Sequence, residues 1–283
     1  MSTNIGLITK AQSGFFTVQS DDGGEPVICR IRGRLKQERQ RTDIAAAGDA
    51  RNLDTEREQV LVANPDQVVF VFSVHNPVFS PRKLDRFLVV AEMNELPAVI
   101  CANKVDLVDS GEAREMFRPY EAIGYPVIHT STLTGEGIDE LRERLHGRIS
   151  VLAGSSGVGK SSLLNAVQAG VGVRVKQGSE ATGKGVHTTR HVELIPLDAG
   201  GYVADTPGIR SLAVFDLEPG ELDACYRENA PLVAQCQFSD CTHTHEPGCA
   251  VVAAVQDGRV SPERYDSYLR LREELEELEE KRF

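Results

Sequence analysis

No apolar run in the sequence approaches the roughly 20 residues that a membrane-spanning helix needs. The amino terminus, Met1-Ser2-Thr3-Asn4, also lacks the basic-then-apolar pattern of a secretory signal. The expectation is a soluble cytoplasmic protein with no membrane partner. Evenly paired cysteines are missing too. Of six cysteines, Cys236, Cys241 and Cys249 cluster while Cys29, Cys101 and Cys225 are scattered. A disulfide framework does not look like that, whereas a metal site in a reducing compartment does. Positive charge is in deficit: 31 Lys and Arg against 42 Asp and Glu leave a formal net charge of −11. That argues against non-specific nucleic-acid binding but leaves room for local basic patches. The 283 residues suffice for two or three modest domains.

The most specific stretch present is Gly154-Ser155-Ser156-Gly157-Val158-Gly159-Lys160-Ser161, which fits G-x-x-x-x-G-K-[ST]. Ile149 to Ala153 before it reads as a buried strand, and Ser162 to Val167 after it as the start of a helix. Glycines let successive backbone N–H groups face phosphates, and the helix N-terminus adds positive potential. In such a loop Lys160 reaches the β- and γ-phosphates and the Ser161 hydroxyl ligates Mg²⁺. The alternative is a plain Gly-rich turn, which the strand and helix flanks disfavour.

A second motif, Asn103-Lys104-Val105-Asp106, lies upstream at the end of the apolar strand Pro97 to Ala102. Open α/β sheets bind ligands at that end. The Asp106 carboxylate is suited to accept both N1–H and the exocyclic amine of guanine, a donor pair adenine lacks. Asn103 is expected to orient the loop and contact the base, with the Lys104 stem packed on the ring. Before them, Gln67 to Val74 reads as another buried parallel strand and Arg82 to Asn94 as a helix. After them, Ser131 and Thr132 follow strand Pro126 to His129, where backbone groups meet guanine O6 in GTPases. Ser131 and Thr132 fit that role, simple helix-entry chemistry being the alternative.

Downstream of the phosphate loop, Gly183 to Thr189 is a Gly-rich stretch in which Thr188 or Thr189 is placed to complete Mg²⁺ coordination. Asp205-Thr206-Pro207-Gly208 then supplies D-x-x-G, with Asp205 holding a Mg²⁺ ligand water and the Gly208 N–H touching the γ-phosphate. Ordinary GTPases place the phosphate loop first and the guanine motif late; here the guanine motif precedes it. The domain is a circular permutation. The residue after D-x-x-G is Ile209, which cannot orient a water as a Gln would, so intrinsic hydrolysis is expected to be slow. His187 is the nearest group with chemistry suited to replace it.

The ends of the chain carry different signals. Ile5 to Ile8, Phe15 to Val18 and Val27 to Ile31 are short strand-like runs split by glycines, which suggests an OB-type barrel. Arg30, Arg32, Arg34 and Lys36 follow in quick succession and suit phosphate contacts, a solvated strand edge being the alternative. The polar stretch Gly48 to Val60 leaves this barrel short of strands. Near the other end, Cys236, Cys241, His243 and Cys249 offer three thiolates and an imidazole, a full tetrahedral set for one structural Zn²⁺. His245 competes with His243 for the fourth place. Ser261-Pro262 opens a final helix with an acidic outer face.

Taken together, these motifs resemble the ribosome small subunit-dependent GTPase A family (RsgA, also YjeQ or YloQ). The likeness rests on Gly33-Arg34-Leu35, Ala63 to Gln67, Asn103 to Asp106, the phosphate loop, Gly185 to Thr189, Asp205 to Gly208 and Cys241 to Cys249. Pro65 departs from the Val usual in the family. The resemblance implies a multidomain chain with an all-β OB-type RNA-binding barrel at 1–59 and a permuted α/β P-loop GTPase at 60–213. A mostly helical zinc-binding domain at 214–283 would complete it. It implies binding of GTP and GDP, Mg²⁺ with the nucleotide, and action on the small ribosomal subunit and its rRNA as a monomer. It also places subunit-stimulated hydrolysis on His187. Two other readings are a metabolic P-loop kinase, which Asp106 argues against, and an RNA-binding scaffold that scarcely turns GTP over, which Ile209 suggests.

Overall fold

In the computed structural model the described residues are 6–12, 15–20, 27–30, 65–168, 193–205 and 217–280. Three antiparallel strands come first: β1 (Gly6–Gln12), β2 (Phe15–Ser20) and β3 (Val27–Arg30). They pair as a meander, with Phe16 opposite both Ala11 and Cys29. A shift of register between Ile8 and Lys10 interrupts the β1 ladder, and the pairing of Lys10 with Glu193 continues the same sheet into the strand that carries Glu193. Among the described residues, the sequence-predicted barrel is represented by these three strands.

The central sheet contains the parallel strands β4 (Gln67–Ser73), β5 (Ala98–Asn103), β6 (Val127–Thr130) and β7 (Ile149–Ala153). β8 (Glu193–Pro196) runs antiparallel to β9 (Tyr202–Asp205), which lies parallel to β7. The full order is β3-β2-β1-β8-β9-β7-β4-β5-β6. Every residue of β4 and β5 is buried, which explains their unbroken apolar runs: helices cover both faces.

Four helices do the covering: α1 (Pro81–Met93), α2 (Ser110–Ala122), α3 (Ile138–Leu145) and α4 (Lys160–Val167). Strand alternation sorts the core into two layers. Phe70 and Phe72 point to Leu84, Leu88, Phe117 and Tyr120 of α1 and α2. Val69 and Val71 point the other way, to Leu141, Leu145, Leu163 and Leu164 of α3 and α4. Burying each such Phe or Leu is worth about 1.5–3 kcal/mol. Pro81 opens α1 at a position where its missing N–H costs nothing.

α1 has a second buried face, and this one meets the C-terminal region. Val89 packs with Leu217, Leu222, Tyr226, Tyr268, Leu271 and Leu275. The region comprises a 3₁₀ turn (Pro219–Cys225), the short α5 (Ala230–Val233), α6 (Ala250–Gln256) and the long α7 (Pro262–Glu280). Ser261 Oγ accepts from Arg264 N at 3.4 Å, capping α7 as the sequence suggests. The acidic outer residues Glu273, Glu276, Glu277 and Glu280 are solvent-exposed. None of the described helices is long and apolar enough to cross a membrane.

Candidate functional site

The register of the sheet brings the predicted motifs to one edge. Asn103, the last residue of β5, stands opposite Ser73 of β4 and Thr130 of β6. Asp205, the last residue of β9, stands opposite Leu152, two residues before the phosphate loop. The loops after β4, β5, β6 and β7 and the end of β9 therefore share the carboxyl edge, where parallel sheets place ligands.

The phosphate loop spans the turn between β7 and α4. Two of its glycines are dictated by space as well as by backbone. A Cβ on Gly154 (φ +152°) would sit 2.3 Å from the Val71 carbonyl oxygen, and one on Gly159 (φ +101°) 2.3 Å from Asn103 Nδ2. Lys160 lies over the loop, its Nζ donating to the carbonyls of Gly154 at 2.7 Å and Ser155 at 3.1 Å. Ser161 and Ser162 follow in the half-buried first turn of α4.

The loop after β5 is latched to the phosphate loop by its own side chains. Asn103 is buried; its amide nitrogen donates to Val158 O at 2.8 Å and its amide oxygen accepts from Thr130 Oγ1 at 3.1 Å. Both polar atoms of Asn103 are thus engaged within the protein, which fits orientation of the loop. Lys104 adopts the left-handed conformation (φ 63°), and its ammonium donates to Gly157 O at 2.8 Å. Asp106, exposed in a short 3₁₀ turn, accepts from Ser131 Oγ at 2.5 Å. Ser131 Oγ in turn accepts from the amides of Leu133 and Thr134, both at 3.2 Å, while Thr132 is exposed beside it. Sequence reasoning missed Thr130: a lone Thr at a strand end carries no pattern.

His187, Thr188, Thr189 and Gly208, with Arg32, Arg34 and Lys36, lie outside the described residues. Arg30 and Asp205 are placed by backbone only, as the last residues of β3 and β9.

Cys236, Cys241, His243 and Cys249 converge in the C-terminal region, their ligand atoms all within 4.8 Å of one another. His243 Nδ1 is 3.6 Å from Cys236 Sγ and 3.5 Å from Cys249 Sγ. A tetrahedral ion with Zn–S and Zn–N bonds of ordinary length sets such an edge at about 3.5 Å. The donor set therefore fits zinc. His243 Nε2 faces Asp223 Oδ2 at 3.4 Å, which turns the Nδ1 lone pair toward the thiols. The amides of Ala250 and Val252 point at Cys236 Sγ and Cys249 Sγ, each at 3.4 Å, an arrangement that favours thiolate. His245 is exposed and bonds Thr244 instead.

Glu246 organises the loop carrying His243. Burial acts to raise its pKa, yet hydrogen bonds from the Thr242 hydroxyl and amide, and from the His245 amide, hold it well below the usual range. Asp223 was invisible to motif reasoning, because it precedes His243 by 20 residues.

Comparison with known proteins agrees with this geometry. A family model described as the RsgA GTPase matches residues 49–215, and one described as the RsgA N-terminal domain matches 5–59. A third, described as a 50S ribosome-binding GTPase, matches 149–282, starting at β7 just ahead of the phosphate loop. Small ribosomal subunit biogenesis GTPase RsgA of Gemmatimonas aurantiaca is 42% identical, covering 97% of this chain and 98% of its own. The protein of the same name from Geobacillus thermodenitrificans is 43% identical, with 96% and 97% covered. The crystal structure of YjeQ from Thermotoga maritima aligns with a TM-score of 0.76 at 36% identity, over 95% of this chain and 97% of that one. That of YloQ, described as a circularly permuted GTPase, gives 0.72 at 32% identity, over 96% and 94%.

Proposed function

Since the chain belongs to the RsgA GTPase family, we propose that it is a GTPase of small-ribosomal-subunit biogenesis whose hydrolysis the subunit itself stimulates. The observation that supports this most is the latch between two loops at one sheet edge. Asn103 and Lys104 of N-K-x-D hold the carbonyls of Val158 and Gly157 in the phosphate loop.

In this reading Asp106 selects guanine, with the backbone of Ser131 and Thr132 beside O6. Lys160 and the amides from Gly154 to Ser162 cradle the phosphates. Ser161, Thr188 or Thr189, and Asp205 through a water, would hold the Mg²⁺ that GTPases require. When bound, that ion would supply positive charge against the charge that develops on the transferring phosphoryl group. The Gly208 N–H meets the γ-phosphate. Ile209 gives the attacking water no partner, so His187 takes the water-orienting role in the subunit-stimulated reaction.

The domain division is 1–59, 60–213 and 214–283, with an OB-type barrel first and a mostly helical zinc unit last. The Cys236-Cys241-His243-Cys249 set would hold one Zn²⁺, and four protein ligands would make that ion structural. Arg30, Arg32, Arg34 and Lys36 contact rRNA phosphates, so an acidic monomer still binds RNA through a local patch. The cytoplasm, where ribosomes mature, is its site of action.

Displacement of a fluorescent GDP analogue tests the nucleotide assignment. GTP and GDP are expected to compete and a thousandfold excess of ATP to fail. Equal displacement by ATP would overturn the guanine reading in favour of a kinase or ATPase.

A further inference from the structure

We propose that the turn joining β4 to α1, His75 to Pro77, is a positioning element of the guanine-nucleotide site that acts through Lys104. The proposal rests on the reading of Asn103 to Asp106 as the guanine loop. Its basis is where the Lys104 ammonium goes. Besides Gly157 O, Nζ donates to the backbone carbonyl of Asn76 at 2.5 Å, and among the described residues Lys104 forms no ion pair.

The turn is built to aim that carbonyl. Asn76 is held in the left-handed region (φ 53°), which Asn and Gly tolerate and β-branched residues resist. Ser73, buried at the end of β4, donates its hydroxyl toward the carbonyls of His75 and Asn76. Pro77 Cδ lies 3.9 Å from where a Cβ on Gly157 would sit, so turn and phosphate loop are also in packing contact. One ammonium therefore ties three loops together. Two of its three N–H groups fix the direction of a four-carbon stem that otherwise samples many rotamers. A stem already aimed lowers the ordering cost of binding a base. It makes no contact that distinguishes GDP from GTP, so both gain alike and the chemical step does not.

The test compares Asn76→Gly with Asn76→Val, each alone and with Lys104→Ala. Asn76 is exposed, so neither change disturbs the core. Asn76→Gly keeps the left-handed turn and is expected to bind GDP and GTP as the parent does. Asn76→Val is expected to weaken both by about tenfold, the cost of forcing a β-branched residue into that region, with kcat at saturation unchanged. In the Lys104→Ala background Asn76→Val is expected to do nothing more, since its effect is routed through the lysine. Equal weakening in both backgrounds would overturn the proposal, as would unaltered affinity in Asn76→Val itself. Unaltered affinity in Lys104→Ala alone would remove the guanine-loop reading and the proposal together.

Discussion

Arg264 and Asp85, 179 residues apart in sequence, form a buried ion pair with 2.6 Å between Nη1 and Oδ1. The same guanidinium donates to both oxygens of Glu228, at 2.6 and 2.9 Å, and lies over the ring of Tyr226. Tyr120 donates to Asp85 Oδ1 at 3.0 Å. One cation thus fastens α7 to α1 and α2, the helices flanking the strand that leads to Asn103. The C-terminal region is anchored on the half of the sheet that carries Asn103 to Asp106.

Arg264→Met is expected to cost about 3–5 kcal/mol, because it strands two buried carboxylates. Adding Asp85→Asn should restore part of that loss. Urea unfolding of the single and double variants measures both. A single-variant loss below about 1 kcal/mol would show that the pair is solvated rather than buried.

The clash geometry at the phosphate loop makes a sharper claim. Gly159→Ala places a methyl 2.3 Å from Asn103 Nδ2, so it is expected to dislodge the latch and lower GTP affinity at least tenfold, on the order of 1.4 kcal/mol. Gly135→Ala meets no atom within 4 Å, though it shares a positive φ. It serves as the control for backbone strain alone, read by the same GTP titration.

The meeting of Gly154 to Ser161 with Asn103 to Asp106 was legible in the sequence, because both are local patterns with fixed spacing at the ends of apolar strands. The strands and helices around them followed from uninterrupted apolar runs and from 3.6-residue periodicity. The N-terminal strands were less legible: their runs were visible, but pairing of Lys10 with Glu193 across the sheet edge has no local signature. The same holds for Asp85, Asp223 and Asn76, whose roles arise only from residues distant in sequence or from a backbone carbonyl.

The Cys and His cluster predicts one zinc per chain. Asp223→Ala removes the carboxylate that orients His243, and metal affinity is expected to fall about 10–100-fold. Competition with a chromophoric chelator measures it. An unchanged affinity would mean that Asp223 is a bystander.

Stability should also depend on pH through Glu274. Its hydrogen bonds to Arg86, at 2.6 and 2.7 Å, hold its carboxyl below the usual range. A depressed carboxylate contributes stability that is present above its unfolded pKa of about 4.5 and lost as pH falls through the lower folded value. The pair is partly exposed, so the effect is bounded at about 1 kcal/mol. The Tm gap between the parent and Arg86→Leu is expected to narrow as pH drops from 6 toward 3. A gap that widens would contradict the sign.

The most direct measurement is GTP hydrolysis by the zinc-loaded protein with and without purified small ribosomal subunits, comparing the parent with His187→Ala. The account predicts slow hydrolysis alone, strong stimulation by the subunit, and loss of that stimulation in His187→Ala with GTP binding intact. A GTP-binding parent that the subunit does not stimulate would contradict it and favour a scaffold that binds GTP without turning it over.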